Sequence, residues 1–286
     1  MRKPLALLRR TFVAVALCMT LGATGWVGTA AAEPAAVPSV GHRWAEIGPY
    51  TPEVSIGLVH TLYYPRDLGQ RGEKHPIVLW GNGTGALPGA YASLLRHYAS
   101  HGFVVVAANS PNVNFAITMR SGIDLMEREA ADPNSVFFGN VDLDRIGAAG
   151  HSQGGSGAIN AAIDKRVDTV VAIQPGPLND VDLIDVPVLY LAGQFDLIVR
   201  PALVRALYED ADHVPAEYLE LRGAIHFGTA ITGGANRGPS TAWLRYWLLD
   251  DPNAATEFFG ENCGYCSDTR QFSGFERNEL ARQIPG

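Results

Sequence analysis

The chain has 286 residues, 47% of them hydrophobic and 18% charged, with 22 Lys and Arg against 29 Asp and Glu and a formal net charge of −7. That length and apolar share suit one large α/β domain. The acidic balance argues against nucleic acid or an anionic membrane as the main partner.

Arg2, Lys3, Arg9 and Arg10 open the chain, an apolar run follows from Phe12 to Val27, and Ala30-Ala31-Ala32 comes next. This order predicts a secretory signal peptide over residues 1–32, with the mature chain starting near Glu33. A membrane anchor is disfavoured because Thr20, Gly22, Thr24 and Gly25 interrupt the run. Arg9-Arg10-Thr11-Phe12 leaves both the general and the twin-arginine export routes open, and Leu17 is too large to precede a lipidated Cys18. Removing the leader leaves 18 basic against 29 acidic residues, a formal net charge of −11. Residues 33–45 begin rich in Ala and Pro and read as a linker, and residues 46–286 as one folded domain.

Val54 to Pro65 is β-rich with partial alternation, predicting one or two antiparallel edge strands. Pro76–Trp80 is a continuous apolar run of the kind found in a strand buried on both faces. Gly81-Asn82-Gly83-Thr84-Gly85 follows it directly. Ala90–Ser100 has helical spacing, and Phe103–Ala108 is the next buried strand. A helix over Ile117–Ala130 stops before Asp132-Pro133, and a strand begins near Val141. Further strands are expected at Val167–Ile173, Val186–Gly193 and, as the last, Ala216–Leu221. Helices are expected over Pro201–Tyr208 and, amphipathic, over Ser240–Leu249. Strands alternating with helices over short connections predict a mostly parallel, helix-flanked sheet: an α/β fold in a single domain without a large lid.

Within that frame, Gly150-His151-Ser152-Gln153-Gly154 follows a strand and precedes a helix-permissive run of small residues. That is the context in which G-x-S-x-G forms a sharp turn exposing a nucleophilic serine. Asp196 follows the strand ending near Gly193, and His226 follows the strand ending at Leu221. Both therefore lie at the carboxyl ends of strands, where α/β sheets place their active groups. A serine needs a neighbouring imidazole to take its proton, and a carboxylate to orient that imidazole. Ser152, His226 and Asp196 are the expected catalytic residues. Asp196 could instead cap the segment Leu197-Ile198-Val199, and His226 could be a solvated loop residue. The backbone N–H groups of Gln153 and Thr84 are expected to form the oxyanion hole. Trp80, His151, Phe195 and Pro177 are the expected substrate-pocket residues, with His151 alternatively a packing residue. Cys263 and Cys266 are expected to form a disulfide in an exported chain, since no further zinc ligand clusters near them. No metal or organic cofactor is expected.

Two stretches carry a resemblance to a known family: Tyr98-Ala99-Ser100-His101-Gly102-Phe103-Val104-Val105, and Asp144-Arg145-Ile146-Gly147 leading into Gly150–Gly155. From about Val54 onward the chain resembles the cutinase-like polyesterases and PET hydrolases, in the dienelactone-hydrolase and chlorophyllase branch of the α/β-hydrolases. The resemblance implies the same triad and puts the family's first oxyanion residue, usually aromatic, on Thr84. It puts a family tryptophan on Pro177 and the methionine after the nucleophile on Gln153. Two aromatic rings and one apolar wall are then missing, which weakens the expectation of a PET-binding groove, although Trp80 or Phe195 could compensate. The implied function is that of a secreted serine carboxylesterase. A polyesterase acting on insoluble polymers and a non-catalytic hydrolase-fold binding protein are the alternatives. The expected partner is an ester, small or polymeric, with no nucleic acid, no stable membrane anchor and a monomeric state.

Overall fold

The apolar runs form the centre of one sheet, and their order in it decides where the polar segments between them meet. In the computed structural model, which describes residues 36–38 and 41–286, nine strands lie in this sheet. They are β1 Pro52–Ile56, β2 His60–Pro65, β3 His75–Gly81, β4 Val104–Ala108, β5 Val141–His151, β6 Thr169–Ile173, β7 Val188–Gly193, β8 Ala216–Leu221 and β9 Phe272–Arg277. The spatial order is β1-β2-β4-β3-β5-β6-β7-β8-β9. From β4 to β8 every pairing is parallel, whereas β1, β2 and β9 pair antiparallel at the edges. The expected signal peptide lies outside the described residues. Among the described residues no helix is long and apolar enough to cross a membrane.

Alternation within the central strands divides the core. On β3, Ile77 and Leu79 face one apolar layer, while Val78 and Trp80 face the other. Helices α1 Ala92–Ser100, α2 Ile117–Ala131, α3 Gln153–Ala161 and α4 Pro201–Asp210 follow the sheet's crossovers. Residues of α2, α3 and α4 belong to the first layer. Residues of α1 join the second, with those of α6 Arg237–Leu249 and α7 Pro252–Phe258. The short α5 Gly228–Thr232, α8 Gly264–Ser267 and α9 Glu279–Arg282 complete the chain. Both sheet faces are therefore covered, as a parallel sheet requires.

Three expectations change. Ala216–Leu221 is not the last strand, because β9 pairs with it antiparallel, Leu219 opposite Phe275. Only Phe272 of β9 is fully buried, so its sequence lacks the apolar run that marks the central strands. The stretch 33–45 is not a linker throughout. Val37 and Trp44 are buried, Trp44 Nε1 donates to Glu257 at 2.8 Å, and Arg245 donates to the carbonyls of Val37 and Pro38. Trp80 is wholly buried against Tyr91 and Tyr98 and donates to Asn82 Oδ1, so it lines the core and not a substrate pocket. The cause is that both faces of β3 are covered: strand parity only sends Trp80 to the layer of Val78, and the opposite face is buried as well. Cys263 and Cys266 are joined by a disulfide.

Glu217 of β8 is fully buried, and neither carboxyl oxygen meets a hydrogen-bond partner among the described residues. Burial pushes its pKa well up, against a weaker pull from Arg277 opposite it on β9. Above the ordinary carboxyl value of about 4.3 the native state then holds a proton that the unfolded state has lost. Stability attributable to this group therefore falls as pH rises through that window. In urea titrations between about pH 5 and 8, Glu217→Gln should flatten the decline by up to about 1.4 kcal/mol per pH unit. Parallel wild-type and variant curves would show that Glu217 titrates alike in both states.

Candidate active site

β5 ends at His151 and α3 begins at Gln153, so Ser152 alone makes the turn between them. Its backbone sits at φ 57° and ψ −123°, a region side chains strongly disfavour. Neighbouring strands enforce it. Ser152 N–H donates to Ile173 O on β6 at 2.9 Å, and Ser152 O accepts from Gly176 N–H at 3.0 Å. Two glycines allow the backbones to approach this closely. A Cβ on Gly150 would lie 2.0 Å from Gly154 O, and one on Gly154 would lie 2.1 Å from Gly81 O.

The acid and base arrive on loops after β7 and β8, which are neighbours in the sheet. Phe195 N–H donates to Ala224 O at 2.9 Å and joins the two loops. Asp196 is buried, and its Oδ1 accepts from the N–H groups of Ile198 and Val199 at 2.8 and 2.9 Å. Its Oδ2 accepts from His226 Nδ1–H at 2.7 Å and from Gln174 Nε2–H at 2.7 Å. The capping arrangement weighed from sequence and the contact to histidine thus coexist, one on each carboxylate oxygen. On its far side His226 Nε2 lies 3.0 Å from Ser152 Oγ. His226 itself is buried, so it is not a solvated loop residue.

Thr84 and Gln153, the residues expected to form the oxyanion hole, are joined through their side chains. Gln153 Nε2 donates to Thr84 Oγ1 at 3.1 Å, and Gln153 Oε1 accepts from Val113 N–H at 2.7 Å. Gln153 stands at the first position of α3, where a backbone N–H has no intrahelical acceptor. The loop carrying Thr84 is anchored by Asn82, which donates to Ala108 O and Ser110 O.

The other expected pocket residues separate. Phe195 is 60% exposed beside Asp196, in an apolar rim with Leu197, Ile198, Ile225 and Phe227. Pro177 lines a groove of about 570 Å³ with Phe115, Ile117 and Leu178. His151 is buried and is not a pocket wall: its ring packs against that of His226 at 4.7 Å, and its Nδ1 lies 2.9 Å from Tyr91 Oη. Burial pushes the His151 pKa down to about 3, and the neighbouring His226 adds to this. Tyr91 and Gln174 went unrecognised in the sequence. Tyr91 lies within the helical stretch Ala90–Ser100 and Gln174 directly after the strand Val167–Ile173, so neither is singled out by its local sequence. The available signal for Gln174 was a polar residue directly after an apolar strand, between the strands that carry the serine and the aspartate. Among the described residues no three His, Cys, Asp or Glu side chains are grouped to hold a metal ion.

A doubly wound parallel sheet, a strained serine at a strand–helix turn and a Ser–His–Asp chain of contacts define an α/β-hydrolase. A family model described as PETase, PET hydrolase-like, matches residues 53–278, and the chain belongs to this family. It is accordingly an ester hydrolase of the carboxylesterase class. The chain is 30% identical over 227 residues to Cutinase est2 of Thermobifida alba, covering 74% of this chain and 72% of the relative. It is 30% identical over 202 residues to Cutinase 2 of Thermobifida cellulosilytica, covering 67% and 74%. A bis(hydroxyethyl) terephthalate hydrolase of Streptomyces coelicolor is 26% identical over 198 residues, covering 67% and 62%.

The close approach at Gly154 can be tested against a glycine that touches nothing. Gly154→Ala should destabilise the fold by about 1–3 kcal/mol or more, because backbone must move. Gly89→Ala, whose added Cβ meets no atom within 4 Å, should stay within about 0.5 kcal/mol of wild type. Equal melting temperatures for the two variants would contradict the packing described here.

Proposed function

We propose that the protein is an exported serine carboxylesterase whose nucleophile is Ser152, general base His226 and orienting acid Asp196. The single observation that carries this reading is the run of contacts from Ser152 Oγ to His226 Nε2 at 3.0 Å and from His226 Nδ1 to Asp196 Oδ2 at 2.7 Å. His226 Nε2 accepts the serine proton as Oγ bonds to the ester carbonyl carbon. The carbonyl oxygen gains the electron pair and is held by the N–H groups of Thr84 and Gln153. Collapse expels the alcohol, which takes the proton back from His226 and leaves an acyl-serine. A water then attacks, losing its proton to His226, and the released acid restores Ser152. Asp196 fixes the imidazole tautomer and stabilises the imidazolium, aided by the three N–H donors that hold its carboxylate.

Export is supported by the basic, apolar and Ala-rich order of residues 1–32 and by the Cys263–Cys266 disulfide, a bond that persists in oxidising compartments. The catalytic domain spans residues 46–286 together with the packed segment around Val37 and Trp44, and works as a monomer.

A second reading, hydrolysis of insoluble polyesters, is favoured by the apolar rim of Phe195, Leu197, Ile198, Ile225 and Phe227 beside the triad. The names of the relatives agree with it. Thr84 and Pro177 supply no ring to clamp an aromatic monomer, so soluble short-chain esters are the preferred substrates over PET. A hydrolysis panel across acyl length, aryl esters and polyester films separates the two readings. Release of products from films at rates rivalling soluble esters would establish the second.

Ser152→Ala should lower p-nitrophenyl ester hydrolysis far beyond a hundredfold with the fold intact, and Asp196→Asn should lower kcat roughly ten-thousandfold. Residual activity above about a hundredth of wild type in Ser152→Ala would overturn the assignment.

A further inference from the structure

Behind His226 lies a group of buried polar side chains, of which the hydrolytic cycle described above uses only Gln174. Tyr91, His151 and Gln174 are each no more than 2% exposed. Tyr91 Oη accepts from Gly83 N–H at 3.0 Å and lies 2.9 Å from His151 Nδ1. The tyrosine hydroxyl has one proton to give, and His151 Nδ1 is its acceptor among the described residues. His151 Nδ1 is then unprotonated and its own proton sits on Nε2. His151 Nε2 and Gln174 Oε1 are both buried with no hydrogen-bond partner among the described residues. The Gln174 side chain is also among the groups that favour a proton on His151. Gln174 Nε2–H in turn donates to the Asp196 oxygen that accepts from His226.

The pair bridges two strand ends. The β3–β5 ladder runs out at Gly81 opposite Gly150. One residue further along β5 stands His151, and two residues beyond Gly81 is Gly83, beside Thr84. A Cβ on Gly83 would lie 2.7 Å from Tyr91 Oη, 3.3 Å from His151 Nδ1 and 3.5 Å from Ser152 Cβ. The oxyanion loop is thus seated directly on the tyrosine–histidine pair and on the serine.

We propose that Tyr91 and His151 are positioning residues for the esterase reaction: through Gly83 N–H they hold the Thr84 N–H in place over Ser152, while the His151 ring backs the His226 imidazole. This rests on the hydrolytic reading given above. A loop without this tether misplaces one of two oxyanion donors, and displacements near 1 Å cost roughly a hundredfold in rate. Thr84 stays tied to Gln153, so loss of Tyr91 Oη is the smaller perturbation.

Tyr91→Phe keeps the ring and deletes the bridge. With a soluble p-nitrophenyl ester, kcat should fall roughly ten- to a hundredfold while KM stays within about twofold. Affinity for a trifluoromethyl ketone, which forms an oxyanion on Ser152, should fall by the same factor as kcat/KM. A lowered melting temperature with unchanged kcat and ketone affinity would reduce Tyr91 to a packing residue and overturn the proposal. Nitrogen NMR of wild-type His151 decides the matter should the variant not fold. The proposal requires a neutral ring with bare Nδ1 and protonated Nε2 at pH 7, and a proton on Nδ1 refutes it. A wild-type protein inert toward every ester and toward the ketone would refute the hydrolytic reading instead, whatever the tautomer of His151.

Discussion

A serine held with φ at 57° and ψ at −123° is the constraint around which this molecule is built. Such a backbone persists only where its surroundings over-determine it. Here β6 takes the Ser152 N–H, Gly176 donates to its carbonyl, and α3 starts immediately behind it. The turn also needs β3 and α3 closer together than side chains permit, which is why Gly154 presses against Gly81 O. The same proximity sets Gly83, in the loop after β3, against Ser152, where an added Cβ would lie 3.5 Å from Ser152 Cβ. The strained turn and the position of the loop proposed to hold the oxyanion are therefore consequences of one packing geometry.

The polar groups of the site lie where a sheet covered on both faces would otherwise bury only apolar side chains. Each needs partners, because an unpaired polar atom in such an interior is costly. Asp196 shows how this is met: four N–H groups point at one carboxylate. Two come from the backbone of its own loop, one from His226 and one from Gln174. The proposed catalytic acid is thus also the cap of the segment after it, and the loop that shapes it is the loop it stabilises. Arg245 follows the same logic far from the site. Its buried guanidinium pairs with Asp251 at 2.8 Å and bonds carbonyls of His101, Val37 and Pro38. Through it the segment before Trp44 is tied to α6.

Legibility in the sequence followed burial. Most interior strands are announced by apolar runs, and β8, with Glu217 and Glu220, by alternation; β9 sits at an edge with mostly half-buried residues, and no run of its sequence marks it. Trp44 carries no burial signal in the sequence, because a single aromatic among Ala, Pro and polar residues has no periodicity, yet it is among the most buried side chains. Trp80, expected in the pocket as a ring that could compensate for the missing ones, lies in the core because both faces of β3 are covered. The proposed triad is readable for a different reason. Strand ends fix where active groups can lie, and Ser152, Asp196 and His226 fell at three of them in the order that α/β-hydrolases use. Tyr91, His151 and Gln174 meet from three separate segments, and nothing in their local sequence declares the encounter.

By itself, then, the order of apolar runs and glycines determined a parallel α/β sheet and the turn at Ser152, because these depend on residue spacing along one strand or one loop. It also determined the candidate acid and base, since the carboxyl edge of the sheet follows from chain direction. Only the tertiary structure decided which layer each side chain enters, how Asp196 divides its two oxygens, and that Tyr91 and His151 join the loop after β3 to the serine strand. Those outcomes depend on strand parity and on contacts between residues distant in sequence, such as the 2.9 Å approach of Tyr91 to His151.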